Sequence, residues 1–175
     1  MRITVSGPPG SGTTSLARYL AGKYDLRFIS AGEVFRQLAQ EHEMDLAAFG
    51  EYAKSDPSVD RMIDERQKEI GEDSESIVVE GRLSGWMVGN ADLKIWLNAS
   101  LECRARRIAG RDDLTEEAAR ERTRERQQCE AARYQAYYTI DINDCSPYDL
   151  VLSSETFGVE DLAAIVDTAI ACLRE

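Results

Sequence analysis

The chain has 175 residues, with 21 lysines and arginines against 32 aspartates and glutamates and a formal net charge of −11. That length suits one domain able to bury about two thirds of its unfolded surface without disulfide or metal staples, and the acid excess argues against a general nucleic-acid binder and for a soluble, salt-adapted surface. No apolar run approaches the roughly 18 residues of a membrane span, and Cys103, Cys129, Cys145 and Cys172 lie too far apart for a metal or redox pair, so they read as reduced thiols of a cytoplasmic protein.

Apolar runs alternate with helical patterns, the signature of βαβ units around a parallel sheet. Ile3-Thr4-Val5 reads as a buried first strand ending at Ser6-Gly7, followed by a helix from Thr14 to Lys23 whose Leu16, Ala17 and Leu20 share a face. Phe28-Ile29 forms a short second strand. Glu33 to Glu41 and Leu46 to Lys54 have helical spacing, with Asp45 the expected N-cap of the second. Pro57 is placed to open a further helix, which runs to about Ile70 and stops at Gly71. Ile77-Val78-Val79 is the clearest internal strand; a glycine-containing stretch extends to Asn90, and Lys94-Ile95-Trp96-Leu97 supplies the fourth strand. A helix from about Leu101 is expected to stop near Gly110. Neither glycine nor proline occurs between Asp112 and Ser146, which predicts a long charged helix from Thr115 to Tyr138. Leu150-Val151-Leu152 is the last strand and Val159 to Leu173 a closing amphipathic helix. Together these make one α/β domain over residues 1–175 with helical insertions.

Gly7-Pro8-Pro9-Gly10-Ser11-Gly12-Thr13-Thr14 sits where the first strand meets the first helix. Its spacing matches the phosphate-loop pattern GxxxxGK[ST], except that Thr13 occupies the lysine position. Such a loop turns backbone N–H groups inward around an anion, the helix N-terminus adds favourable potential, and Thr14 offers a hydroxyl to Mg²⁺. Without the lysine, either nucleotide is bound weakly or other cations serve the β and γ phosphates.

The arginines are the available source of those cations. Of the 21 cations, 17 are arginine, and 9 lie between Arg104 and Arg133, where 7 acids leave a net of +2 against −13 elsewhere. Their planar forks suit phosphate oxygens. Arg104, Arg107 and Arg111 share one helical stripe; Arg126, Glu130 and Arg133 share another, with Arg122 a turn before. Arg106, Arg120 and Arg124 fall off these stripes and read as solvated or paired with glutamates. Two readings stay open for the stripes: solvated, salt-bridged faces, or a lid that flanks the turn at Asp112-Asp113 and folds over phosphates. His42, the one histidine, sits in a polar stretch and has no expected role.

After the second strand, Ile29-Ser30-Ala31-Gly32-Glu33-Val34-Phe35-Arg36 resembles the acceptor-binding segment of nucleoside monophosphate kinases. Val79-Glu80-Gly81-Arg82 resembles the segment with which those kinases hold Mg²⁺ through water and grip the acceptor phosphate. More specifically, Ile3 to Thr14, Ile29 to Arg36, Glu80-Gly81-Arg82-Leu83-Ser84-Gly85-Trp86, Ala91 to Leu97 and Ile140 to Val151 resemble the archaeal-type cytidylate kinases, in the family's order and over essentially the whole chain. The resemblance implies a P-loop kinase fold, a parallel five-stranded sheet of order 2-3-1-4-5 with helices on both faces. It also implies acceptor-binding helices at approximately 31–72 and an arginine-rich lid at approximately 104–140.

Roles follow from that resemblance. ATP is the phosphate donor, Mg²⁺ the metal, and CMP or dCMP the acceptor. Gly7, Pro8, Pro9, Gly10, Ser11, Gly12, Thr13, Thr14 and Ser15 would hold the ATP phosphates, and Thr14 and Glu80 the metal. Ser30, Gly32, Arg36 and Arg82 would seat the acceptor phosphate; Arg107 and Arg111 would reach ATP, and Arg126 and Arg133 would complete the charge stabilisation. Arg126-x3-Glu130-x2-Arg133 is similar to an Arg-x3-Asp-x2-Arg segment of bacterial cytidylate kinases, which makes Glu130 a candidate ribose contact. Cytosine presents an amino donor that a carboxylate accepts, so Asp60 and Asp64, with Arg66 and Gln67, are candidates for reading the base. The expected partners are free nucleotides, with no nucleic acid and no membrane, and the expected state is a monomer. Two alternatives remain open on sequence: an adenylate or broad-range monophosphate kinase, and a nucleotide-sensing module without turnover.

Overall fold

Strand β1 (Arg2–Ser6) is buried over its last four residues. It lies at the centre of the sheet, with β3 (Ile77–Glu80) parallel to it on one side and β4 (Leu93–Asn98) on the other. β2 (Arg27–Ser30) and β5 (Leu150–Ser153) are the outer strands, giving the order β2-β3-β1-β4-β5 that the resemblance implied. This computed structural model describes residues 1–173, with Lys54 described by its backbone alone.

Alternation along the strands decides which helices cover which face. Ile3, Val5, Val78, Ile95 and Leu97 point to one face and pack against α1 (Thr13–Tyr24) and α8 (Val159–Ala171) through Leu16, Leu20, Leu162 and Val166. Ile29, Ile77 and Val79 point to the other, against α2 (Ala31–Glu41), α3 (Leu46–Ser55) and α4 (Ser58–Asp73). On that same face Trp96 meets Tyr134 of α7 (Glu116–Tyr138) together with Ile140, Ile142 and Tyr148. α6 (Leu101–Asp112) and α7 form a hairpin closed by Ala105, Ala109 and Ala119, small residues that let the two backbones approach. Its turn uses a left-handed Asp113 with φ 54° and the N-cap hydroxyl of Thr115, which accepts from the Ala118 N–H at 3.2 Å. Among the described residues no helix is long and apolar enough to cross a membrane.

One additional helix and three helix ends differ from expectation. A one-turn helix α5 (Ser84–Met87) lies in the glycine-containing stretch, too short to show a period in sequence. Gly71 does not stop α4, which continues to Asp73; a Cβ there would stand 2.7 Å from Val88 Cγ2 and 3.1 Å from Val79 Cγ2, so the missing side chain serves helix-to-sheet packing. Gly110 likewise lies inside α6, and α8 ends at Ala171 rather than at Leu173. Asp45 is the N-cap of α3 as expected, accepting from the Ala48 N–H at 2.8 Å.

Because every pairing is parallel, all five strands deliver their C-terminal residues to one edge, where the chain switches from the β3 side of β1 to the β4 side. The α2–α4 insertion is held there by Phe49, fully buried and edge-on to Phe35 at 4.9 Å between ring centroids. Phe49→Ala is expected to cost about 3–5 kcal/mol of unfolding free energy, read from the urea midpoint at unchanged slope.

Candidate functional site

The loop between β1 and α1 is set by backbone geometry before any side chain acts. Gly10 and Gly12 have φ of 85° and 89°, the left-handed region open to glycine. Gly12 is the N-cap of α1, whose own first turn has no acid, so no residue of the helix itself offsets its positive end. From behind, two arginines of α6 hold the loop: Arg104 Nη1 donates to the Pro9 carbonyl at 3.1 Å and Arg107 Nη1 to the Gly10 carbonyl at 3.3 Å.

Thr13, at the lysine position, donates its hydroxyl to Glu80 Oε1 at 2.7 Å. Glu80 closes β3 in register with Val5 on one side and Ser30 on the other, so this bond ties the loop to the sheet edge. Burial pushes the Glu80 carboxyl upward, opposed by hydrogen bonds from Thr13 and Thr14 and by the charges of Arg126 and Arg18. Gln67, buried on α4, donates to the Glu80 carbonyl at 2.8 Å, which orients the strand end and commits its amide away from base reading.

A cavity of about 330 Å³ lies between the loop, the Gly32 turn, Glu80, Arg82 and the α6–α7 hairpin. Of the expected site residues, Gly7, Pro8, Pro9, Gly10, Thr13, Thr14, Gly32, Glu80, Arg82, Arg111 and Arg126 line it, and Arg122 joins them. Four arginines therefore face one space with Glu80 and Asp112 as its acids. Arg82 and Arg126 donate their Nε atoms to the two oxygens of Glu130, each at 2.7 Å. Arg111 is forked onto its neighbour Asp112, Nε to Oδ1 at 2.7 Å. A second cavity of about 340 Å³ lies across the loop, lined by Ser11, Gly12, Ser15, Arg107 and the apolar Leu16, Phe157 and Leu162.

The remaining candidates fall elsewhere. Ser30 caps α2, its hydroxyl accepting from the Glu33 N–H at 3.2 Å. Arg36 is exposed on α2, its Nη1 3.7 Å from where a Gly32 Cβ would stand. Arg133 pairs with Asp60 at 2.8 Å, and Asp64 accepts from the Tyr138 hydroxyl at 3.1 Å, so these residues lash α4 to α7 outside both cavities. Arg66 pairs with Glu41 on the surface, and His42 lies against the rings of Phe49 and Tyr52. The Arg104, Arg107, Arg111 stripe separates: Arg104 is buried behind the loop, Arg107 reaches the second cavity and Arg111 the first. Arg104 and Arg122, which spacing placed on or beside the stripes without a role, meet the back of the loop and the first cavity; which face of each helix meets the loop is set by the α6–α7 packing.

The family model described as the cytidylate kinase-like family matches residues 2–156. A cytidylate kinase from Methanoculleus marisnigri is 74% identical over 99% of this chain and 96% of its own. One from Archaeoglobus fulgidus is 48% identical over 97% and 94%. Among solved structures, shikimate kinase from Aquifex aeolicus superposes with a TM-score of 0.63 at 16% identity, covering 98% of this chain and 96% of its own, a likeness of fold.

Asp64 gives a pH signature. Burial pushes its carboxyl up to about 6, above its unfolded value, so its stabilising contribution is full at low pH and is lost as pH rises through about 6. Asp64→Asn keeps an oxygen to accept from Tyr138 and removes the buried charge. Its stability advantage over the parent is expected to grow between about pH 4.5 and about pH 7.5, read as the difference in urea midpoints.

Proposed function

The chain belongs to the cytidylate kinase-like family, and from that premise we propose that it transfers the γ-phosphate of ATP to CMP or dCMP, releasing ADP and CDP or dCDP. The observation that carries the assignment of the site is the single cavity shared by the glycine loop, the Gly32 turn and Arg82, Arg111, Arg122 and Arg126. Phosphoryl transfer asks for in-line positioning and for neutralisation of charge spread over the transferred group. The attacking oxygen of the acceptor phosphate is already anionic, so no side chain need deprotonate it.

In this assignment the loop N–H groups and the α1 N-terminus hold the donor phosphates. Arg82 seats the acceptor phosphate beside the Gly32 turn, with Arg36 reaching it from α2, and Arg111, Arg122 and Arg126 close over the transferred group. The second cavity, apolar on one side and walled by Arg107, takes the donor base. Thr14 and Glu80 fit Mg²⁺: a hydroxyl and a desolvated carboxylate are hard oxygen donors, and such an ion takes few protein ligands beside phosphate and water oxygens. When bound there, it would supply positive charge to the phosphate groups undergoing transfer. Thr13 has no charge to give there; it holds Glu80 in place, and the cation comes from the hairpin arginines. Closure of the hairpin excludes water and so suppresses ATP hydrolysis. The substrates are free nucleotides and not nucleic acid, in keeping with the net charge of −11, and the working form is a cytoplasmic monomer.

A steady-state panel of CMP, dCMP, UMP and AMP with ATP checks the assignment. The cytidine nucleotides are expected to lead, and a preference for AMP would end it. Arg82→Ala is expected to raise the acceptor KM about 10-fold or more and to lower kcat about 100-fold, and unchanged kinetics would remove Arg82 from the site.

A further inference from the structure

We infer that Glu130 is a positioning residue for the two arginines that face the reacting phosphates, and not a ribose contact. The inference rests on the phosphoryl-transfer assignment above. The side chain of Glu130 is 5% exposed, and both its oxygens are taken at 2.7 Å, one by Arg82 from the loop after β3 and one by Arg126 from its own helix. A carboxylate buried to this degree, with each oxygen already on a cation, is placed to hold those cations and offers almost no surface to a nucleoside.

The way the arginines are held matters as much as the fact. Each is gripped at Nε, the inner edge of the guanidinium, which leaves its two terminal nitrogens for other acceptors. Arg82 Nη1 is buried and has no partner among the described residues, while the same side chain lines the phosphate cavity. A buried donor without an acceptor is costly, so the guanidinium of Arg82 has donor capacity that its protein partners leave unused beside that cavity. Arg126, 63% exposed, would sample many rotamers without its anchor.

Glu130 also offsets repulsion. Burial, and after it the nearby charge of Arg82, lower the affinity of the Arg104 guanidinium for its proton, so the charges behind the loop feel one another. One buried carboxylate between Arg82 and Arg126 reduces that repulsion while the outer ends of both forks keep their charge. The carboxylate further joins a residue of the sheet edge to one of the lid helix, so the two arginines are set relative to each other and not only to their own elements.

The test is a kinetic double-mutant cycle of Glu130→Gln and Arg126→Ala, run with both CMP and dCMP. Glu130→Gln is expected to lower kcat about 10- to 100-fold with an unchanged ratio of CMP to dCMP use, since the lost order lies at the phosphates. In the Arg126→Ala background the same change is expected to cost at least about 5-fold less, because one of its two clients is gone. Additive effects, or a shifted CMP-to-dCMP ratio, would overturn the inference. If Glu130→Gln does not fold, Glu130→Asp keeps the charge but withdraws it by one methylene; reduced kcat at an unchanged melting temperature supports the anchor, and wild-type kcat sinks it. Failure of the parent enzyme to phosphorylate CMP would strike at the assigned reaction instead. The clamp is then read from CMP affinity by calorimetry across the same four proteins, where additivity again overturns it.

Discussion

Gathering four guanidinium groups around one small cavity is electrostatically unfavourable until an anion arrives, and much of this structure answers that problem. Acids hold three of the arginines: buried Glu130 takes Arg82 and Arg126, and Asp112, itself in the cavity wall, takes Arg111. Backbone carbonyls do the same behind the loop, where Arg104 and Arg107 meet Pro9 and Gly10. These bonds orient each fork and offset part of the repulsion, leaving positive potential directed at the cavity. A site of this kind is preorganised, which is what transfer of a charge-rich group demands.

The sheet makes that arrangement available. With every strand parallel, Ser6, Ser30, Glu80 and Asn98 end at one edge, and the connections that carry chemistry all leave from there. Glu80 shows the economy of the design. Its side chain receives the Thr13 hydroxyl and its carbonyl receives Gln67 of α4, so one strand end links the glycine loop to the acceptor-side insertion. At the position where the phosphate-loop pattern has lysine, Thr13 places a neutral hydroxyl on Glu80, and the positive charge at the cavity belongs to Arg82, Arg111, Arg122 and Arg126 from other elements.

How much of this was legible from the chain depends on the range of the interaction. The strands, the long α7, the Asp45 cap and the glycine loop are local patterns, and they lie where periodicity and turn chemistry put them. Gly71 has the local signature of a helix stop, yet its role is contact with Val79 and Val88, residues distant in sequence. The same limit applied to the site. Spacing grouped Arg104, Arg107 and Arg111, yet the three serve the back of the loop, the second cavity and the first cavity. A helical stripe records a shared face, while the contacts of each residue along it change with height against the neighbouring loop.

By itself the sequence determined the alternation of strands and helices, the glycine loop with threonine where the phosphate-loop pattern has lysine, and a surplus of arginine in one segment. Those properties follow from steric and periodic rules that act within about ten residues. Only the tertiary structure decided which arginines meet in one cavity, that Glu130 stands between two of them, and that Asp60 and Asp64 turn to α7 instead. Those outcomes depend on how α4, α6 and α7 pack around the sheet edge, where the cost of burying a charge without a partner selects the pairings.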